Sequence, residues 1–335
     1  MEKHTKKADR FRKELIAAVI PCYRVKDKVL SVIADIGPEV STVICVDDCC
    51  PENSGEHIRK NCSDPRVTVL FNPENRGVGG ALISGYRKAL ELGCDVIVKV
   101  DGDGQMDPSL IPVFVKPILE AEADYTKGNR FTKPEDFRSM PGIRLFGNAA
   151  LSLLSKPSTG YWRILDPTNG FTAIHSCVLK MLPLDRIDNR YFFETDMLHH
   201  LRNVDACVMD IPMKAVYNDE KSNLKWNRVL LEFFIKHIRN TINRLFFQYL
   251  IKDFGIATIQ LVLGLLLSVF GTTMGIISWH RSIATGITAS SGSVMLASLP
   301  VILGIQMLLS FLNYDISSVP ARSIVSRLET DTVLE

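Results

Sequence analysis

The chain carries no Asp, Glu, Lys, Arg or His from Phe254 to Trp279, and none again from Ser282 to Tyr314. A bilayer hydrocarbon core of about 30 Å is crossed by about 20 apolar helical residues, so each stretch is long enough to span once. Two buried helices of a water-soluble domain are the alternative, but uncharged runs of this length are rare there. Two spans make a hairpin with both flanks on one side, expected over residues 254–316. The loop between them holds only His280 and Arg281, whereas Lys225, Arg228, Lys236, Arg239, Arg244 and Lys252 precede the first stretch and Arg322 and Arg327 follow the second. That excess of positive charge on the flanks predicts an integral membrane protein with both flanks in the cytoplasm. Such an anchor is also able to pack against copies of itself, which makes a homo-oligomer an expected partner.

Residues 221–253 lead into the first span. Val229, Leu230, Phe233, Phe234, Ile238, Ile242, Leu245 and Phe246 recur at helical spacing with Arg and Lys opposite, which predicts one or two amphipathic helices at the membrane surface. Packing against a soluble domain is the other reading of that stripe. Residues 317–335 read as a polar cytoplasmic tail with no assigned function.

Residues 1–220 read as a cytoplasmic domain. The basic start MEKHTKKADRFRKE is not followed by an apolar stretch long enough for a signal peptide before Pro21. Strand-like and helix-like segments then alternate: strands at 15–23, 40–48, 66–71 and 94–101, with helices between them ending near Gly37, Asn61 and Gly93. Val- and Ile-rich strands alternating with helices predict an α/β fold with a mostly parallel sheet covered on both faces. Ligands of such sheets bind beyond the carboxyl ends of the strands, where Asp47, Asp48, Asp101 and Asp103 fall. The eight cysteines show no C-x-x-C pair and are read as reduced thiols. A net charge of +2 argues neither for nor against an acidic partner, and no nucleic acid is expected.

The stretch VKVDGDGQMDP (98–108) brings three carboxylates to the mouth of a strand. A calcium loop of the helix-loop-helix kind needs Gly at its sixth position and Glu at its twelfth; Met106 and Pro112 stand there. A dinucleotide fingerprint fails as well, because NRGVGG (75–80) lacks the G-x-G-x-x-G spacing and follows the third strand. What remains is D-x-D. Asp101 and Asp103 can both reach one hard cation, leaving positions for diphosphate oxygens; an acidic turn without a ligand has the same signature. Asp107, beside Pro108, reads as the start of the next helix.

Six segments, VIPCY (19–23), VDDCCPENSG (46–55), NRGVGGAL (75–82), DGDGQMDP (101–108), GNRF (128–131) and DPTNGFTAI (166–174), occur in the order and spacing of family-2 glycosyltransferases. With the C-terminal hairpin, the chain resembles the polyprenyl-phosphate glycosyltransferases of that family, such as dolichol-phosphate mannose synthases and bacterial two-helix membrane-anchored enzymes. The resemblance implies a GT-A fold. It also implies that Pro21, Tyr23, Val46 and Asp48 line the base and ribose pocket, with Asp101 and Gly102 facing the nucleotide sugar. Asp101, Asp103 and Gln105 would surround Mg2+ or Mn2+ on the diphosphate. Asp103, Arg130 and Arg144 are the implied catalytic residues, the two arginines receiving the acceptor phosphate or steadying the leaving diphosphate; Lys225 matches a basic residue at the lipid-facing rim. The chain departs from the family in having Val25 two residues after the Tyr, DDCCPENSG in place of D-D-G-S, and Val216 where an Arg is usual.

The expected reaction is inverting transfer of a sugar from a nucleotide diphosphate to a polyprenyl phosphate at the cytoplasmic leaflet. The acceptor phosphate is already anionic and needs no strong base. Were the acceptor a saccharide or glycolipid hydroxyl, a carboxylate would have to take its proton, and Glu194 or Asp196 in FFETDMLHHL (192–201) is placed to do so or to begin a helix. Against that acceptor, neither a longer multi-span region nor the Q-x-x-R-W motif of processive synthases is present. A membrane-anchored scaffold that binds nucleotide sugar without turnover is the third reading.

Overall fold

The computed structural model describes residues 14–131, 142–214 and 226–334. Its first half winds strand to helix as the alternation predicts. β1 (Ile16–Cys22), β2 (Thr42–Asp47), β3 (Val67–Phe71) and β4 (Val96–Lys99) are separated by α1 (Val29–Ala34), α2 (Ser54–Asn61) and α3 (Gly77–Glu91). The second half adds α4 (Ile111–Leu119), β5 (Tyr125–Asn129), α5 (Gly142–Thr159), β6 (Thr172–His175), α6 (Ser176–Met181), α7 (Phe193–Asn203) and β7 (Val208–Pro212). The seven strands form one sheet in the order β3-β2-β1-β4-β6-β5-β7. β6 runs antiparallel to β4 and β5, while β1–β2, β1–β4, β2–β3 and β5–β7 pair in parallel. The carboxyl ends of β1, β2, β4, β5 and β7 therefore share one edge with the start of β6.

Side-chain alternation along β1 divides the core. Ile16, Ala18 and Ile20 join Val96, Val98, Val100, Val32, Ile33, Phe114 and Ile118 on one face, each large apolar side chain contributing about 1.5–3 kcal/mol by leaving water. On the other face α3 lies so close that a Cβ on Gly85 would stand 2.2 Å from Val19 Cγ1. Only glycine permits that approach.

Contacts divide the chain into two units, 1–240 with 320–335, and 241–319. The boundary falls inside α8 (Trp226–Leu245), which a π-helical turn, Phe246–Lys252, extends. In the first unit α8 docks through polar residues and one aromatic: Lys236 Nζ lies 2.5 Å from Asp188 Oδ2, Asn240 Nδ2 donates to Asp196 Oδ1 at 2.7 Å, His237 Nδ1 is 2.8 Å from Ser158 Oγ, and Phe233 of the expected apolar stripe meets Phe192 edge-on at 5.3 Å. Leu231, Phe234, Ile235, Ile238 and Ile242 remain exposed.

The second unit holds α9 (Ile256–Thr285) and α10 (Ser291–Ser317), both long and apolar enough to cross a membrane. His280 and Arg281 lie inside α9 and not in a loop, a correction to the sequence reading. The turn comes at 286–290, where Gly286 adopts φ +66° and Ser290 Oγ accepts from Ser293 N. A buried cluster ties the base of the hairpin: Arg244 meets Asp315 through two bonds of 2.7 and 2.9 Å, and Tyr249 Oη donates to Asp315 Oδ1 at 2.5 Å. The segment expected as a tail is α11 (Ile324–Leu334) and belongs to the first unit. Both Asp124 oxygens accept from Ile324 N, at 2.8 and 2.9 Å, which caps α11.

Candidate active site

Strand β4 carries a lysine among fully buried valines and isoleucine. Lys99 is 1% exposed, and a buried ammonium persists only where carboxylates face it. Two do: its Nζ lies 3.1 Å from Asp101 Oδ1 and 3.0 Å from Glu194 Oε1. Burial draws the ammonium's pKa down, but Asp101 and then Glu194 outweigh it and hold the group above its ordinary value.

Beyond the strand the chain turns sharply. Gly102 is buried against Ile20 and Val25, where a Cβ would come within 3.2 Å of each, and Gly104 takes φ +72°. Asp103 Oδ1 accepts from Gln105 N at 2.9 Å, so Asp101, Asp103 and Gln105 sit on one tight turn at the sheet edge. Asp107 accepts from Ser109 N at 3.0 Å and starts the short 3-10 helix Pro108–Leu110, as its sequence position suggests.

The residues expected at the nucleotide divide by exposure. Tyr23 is 43% exposed just past β1, with the Arg24 guanidinium 5.5 Å from its ring. Pro21 pairs in register with Val46, whose side chain is fully buried. Asp48 is also buried, and its oxygens accept from Asn72 Nδ2 (2.8 Å), Arg76 N (3.0 Å) and Gly77 N (2.7 Å). This carboxylate therefore fills the amino end of α3, where a phosphate would otherwise be favoured. Val46 and Asp48 are buried in the sheet and its following loop; Tyr23 is the member of the set with an exposed side chain.

At the ends of β5 and β7 a second polar group assembles. Arg130 grips Asp166 with Nε to Oδ2 at 2.7 Å and Nη2 to Oδ1 at 2.9 Å. Asn129 Nδ2 donates to Asp210 Oδ2 at 2.9 Å, and Lys127 Nζ donates to the Asn169 carbonyl. Burial lowers Lys127 to about 8 and raises Asp210 to about 6. The loop 166–170 is pressed against the D-x-D turn, since a Cβ on Gly170 would stand 2.4 Å from Lys99 Nζ and 2.8 Å from Asp101 Oδ2.

The two acids of α7 part company. Glu194 faces Lys99, whereas Asp196 accepts from Asp188 N at 2.8 Å and from Asn240, away from the turn. Arg144 lies in the first turn of α5, its side chain outside the described residues, as is Lys225 altogether. Sequence reasoning missed Lys99, Lys127, Asp166 and Asp210. A lysine inside VIVKV was the available signal for the first, and DPTNG was noted as a motif without a role for its Asp. Among the described residues no group of three or more His, Cys, Asp or Glu is gathered to hold a metal.

Residues 17–186 match the profile of Glycosyl transferase family 2. The chain belongs to that family. The family-2 sequence is 28% identical over 234 residues to the UDP-N-acetylglucosamine–dolichyl-phosphate N-acetylglucosaminyltransferase of Methanococcus voltae, covering 66% of this chain and 92% of the relative. It is 30% identical over 206 residues to the undecaprenyl-phosphate mannosyltransferase of Micrococcus luteus, covering 60% of this chain and 83% of that one. In fold it is similar to glucosyl-3-phosphoglycerate synthase from Mycobacterium tuberculosis, solved with Mn2+, UDP and phosphoglyceric acid, at a TM-score of 0.52 and 18% identity over 69% of this chain and 78% of that one. The fold is thus the GT-A fold that the motifs led one to expect for a family-2 glycosyltransferase.

Proposed function

We propose that the protein transfers one sugar, with inversion, from a nucleoside-diphosphate sugar to a polyprenyl phosphate at the cytoplasmic leaflet. The observation that carries this reading is the state of the two carboxylates that a hydroxyl acceptor would need. Glu194 is paired with buried Lys99 and Asp196 is bonded to Asp188 N and Asn240, so neither is poised to take a proton. An ionised phosphate monoester attacks without one. The polyprenyl-phosphate acceptors named for the two relatives support the same choice.

In the reaction a phosphate oxygen of the lipid bonds to the anomeric carbon as the bond from that carbon to the diphosphate oxygen breaks, and the electron pair leaves with the diphosphate. The turn bearing Asp101, Asp103 and Gln105 offers hard oxygen donors, which fits Mg2+ or Mn2+; a bound ion would supply charge neutralisation on the diphosphate. Tyr23 and Pro21 border the base side. Arg130, fixed in direction by Asp166, is oriented for an anionic oxygen of donor or acceptor, with Arg144 and Lys225 proposed as its companions.

Two further features support membrane residence. α9 and α10 are each long and apolar enough to span, and α8 turns Lys236, His237, Asn240 and Phe233 to the protein while Leu231, Ile235, Ile238 and Ile242 stay exposed. An amphipathic helix docked by its polar face leaves its apolar face for lipid. Residues 254–316 then form the anchor, and the catalytic body is 1–220 with 320–335 returning to it.

The test supplies the full chain in detergent with a panel of nucleotide sugars, Mg2+ or Mn2+, and either a polyprenyl phosphate or a free saccharide. Transfer to the lipid is expected, abolished by EDTA and lowered about 100-fold or more by Asp103→Ala or Arg130→Ala. Sugar appearing only on the saccharide overturns the acceptor assignment, and metal-dependent binding without turnover on either acceptor favours a scaffold.

A further inference from the structure

Lys99 has no role in the reaction as described, yet three separate parts of the chain close around its ammonium. β4 supplies the stem, α7 supplies Glu194 Oε1 at 3.0 Å, and the turn supplies Asp101 Oδ1 at 3.1 Å. The loop 166–170 completes the enclosure through a residue that has no side chain. Gly170 does not require glycine for its backbone angles, but a Cβ there would lie 2.4 Å from the ammonium and 2.8 Å from Asp101 Oδ2.

The arrangement is asymmetric. Asp101 is 29% exposed at its side chain, while Lys99 is 1% and Glu194 12% exposed. One oxygen of Asp101 is therefore tied to a buried, rigidly seated cation, and the carboxylate is presented from that anchor toward the sheet edge. With Asp101 as its only partner, Lys99 would neutralise it and weaken it as a ligand. Glu194 shares the ammonium, so the trio retains a net negative charge on the side facing the turn.

From this geometry we infer that Lys99, shared with Glu194 and given room by Gly170, is the positioning residue that orients the Asp101 carboxylate for the donor's divalent cation. Lys99 acts through Asp101 and does not touch substrate. The inference rests on the proposed metal-bound donor, and it reassigns Glu194 from a candidate base to a buried counter-ion.

The experiment measures Mn2+ binding to the full chain in detergent, without substrate, from the electron paramagnetic resonance signal of free Mn2+. The metal half-saturation and kcat of sugar transfer are measured beside it. Lys99→Met is expected to weaken Mn2+ binding about ten-fold or more, with Lys99→Arg recovering part of the loss. Gly170→Ala reaches the same node from another element and is expected to weaken binding in the same direction, so the inference stays testable if Lys99→Met does not fold. Glu194→Gln keeps an acceptor for Lys99 but removes the charge that offsets it, so it is expected to weaken Mn2+ binding in the same direction as Lys99→Met while kcat at saturating Mn2+ changes only a few-fold. If the wild-type chain binds no Mn2+, the donor reading fails first. If it does bind while Lys99→Met and Gly170→Ala bind as well or better, positioning by Lys99 is overturned and the donor reading stands. A collapse of kcat in Glu194→Gln at unchanged Mn2+ binding would return Glu194 to the role of base and overturn the reassignment.

Discussion

Asp210 shows how a sheet edge stores charge. Its Oδ2 accepts from Asn129 Nδ2 and, at 3.4 Å, from Leu165 N, while its buried Oδ1 has no hydrogen-bond partner among the described residues. Burial raises the acid to about 6 against an ordinary 3.8. Between those values the folded chain keeps a proton that the unfolded chain has released, so this group lowers stability as pH rises through about 4 to 6 and holds it lower above. Asp210→Asn removes that dependence. Its midpoint of thermal unfolding, relative to wild type, is expected to rise from pH 4 to pH 7 by the equivalent of about 1–2 kcal/mol and then level off. The D-x-D turn could be read from sequence because its spacing alone puts two carboxylates at a strand end. The Lys99–Glu194 pair could not, since its partners stand 95 residues apart and only the fold brings them together.

Elements reveal a second limit of sequence reading. The strands and helices of the first half appear where hydrophobic periodicity places them, because each is decided by local alternation and by Gly or Pro at its ends. α11 was hidden, since its polar sequence resembles a tail and its cap, Asp124, stands 200 residues earlier. The same carboxylate accepts from Cys207 N at 2.7 Å, so it joins α11 to the segment entering β7. Asp124→Ala is expected to cost about 2–3 kcal/mol through the lost cap and a stranded amide. The loss would be read as a lower denaturation midpoint together with new protease cleavage after Pro320. His280 and Arg281 misled for a different reason: polar residues suggest a loop, but side chains that project from the last turns of a helix leave its backbone bonds intact.

At the scale of the whole molecule, the hairpin is held by close backbone approach. A Cβ on Gly304 would stand 2.4 Å from Ser268 Oγ and 2.9 Å from the Gly264 carbonyl, and one on Gly271 would stand 2.5 Å from the Ala297 carbonyl. Small residues at such crossings let the backbones pack where lipid gives no hydrophobic drive. Gly304→Val is expected to force α9 and α10 apart, costing about 1–3 kcal/mol. Helical signal would then be lost at a lower mole fraction of SDS than in the wild type.

The catalytic unit is also interrupted in sequence, because 241–319 is inserted before 320–335 returns to it. A ribosome makes the D-x-D turn before the hairpin and Ile324 after it. Asp124 must therefore wait for the helix it caps until both apolar helices have emerged. The order of synthesis makes the apolar hairpin precede the completion of the catalytic unit, and a chain stalled before the hairpin would be released without its closing helix.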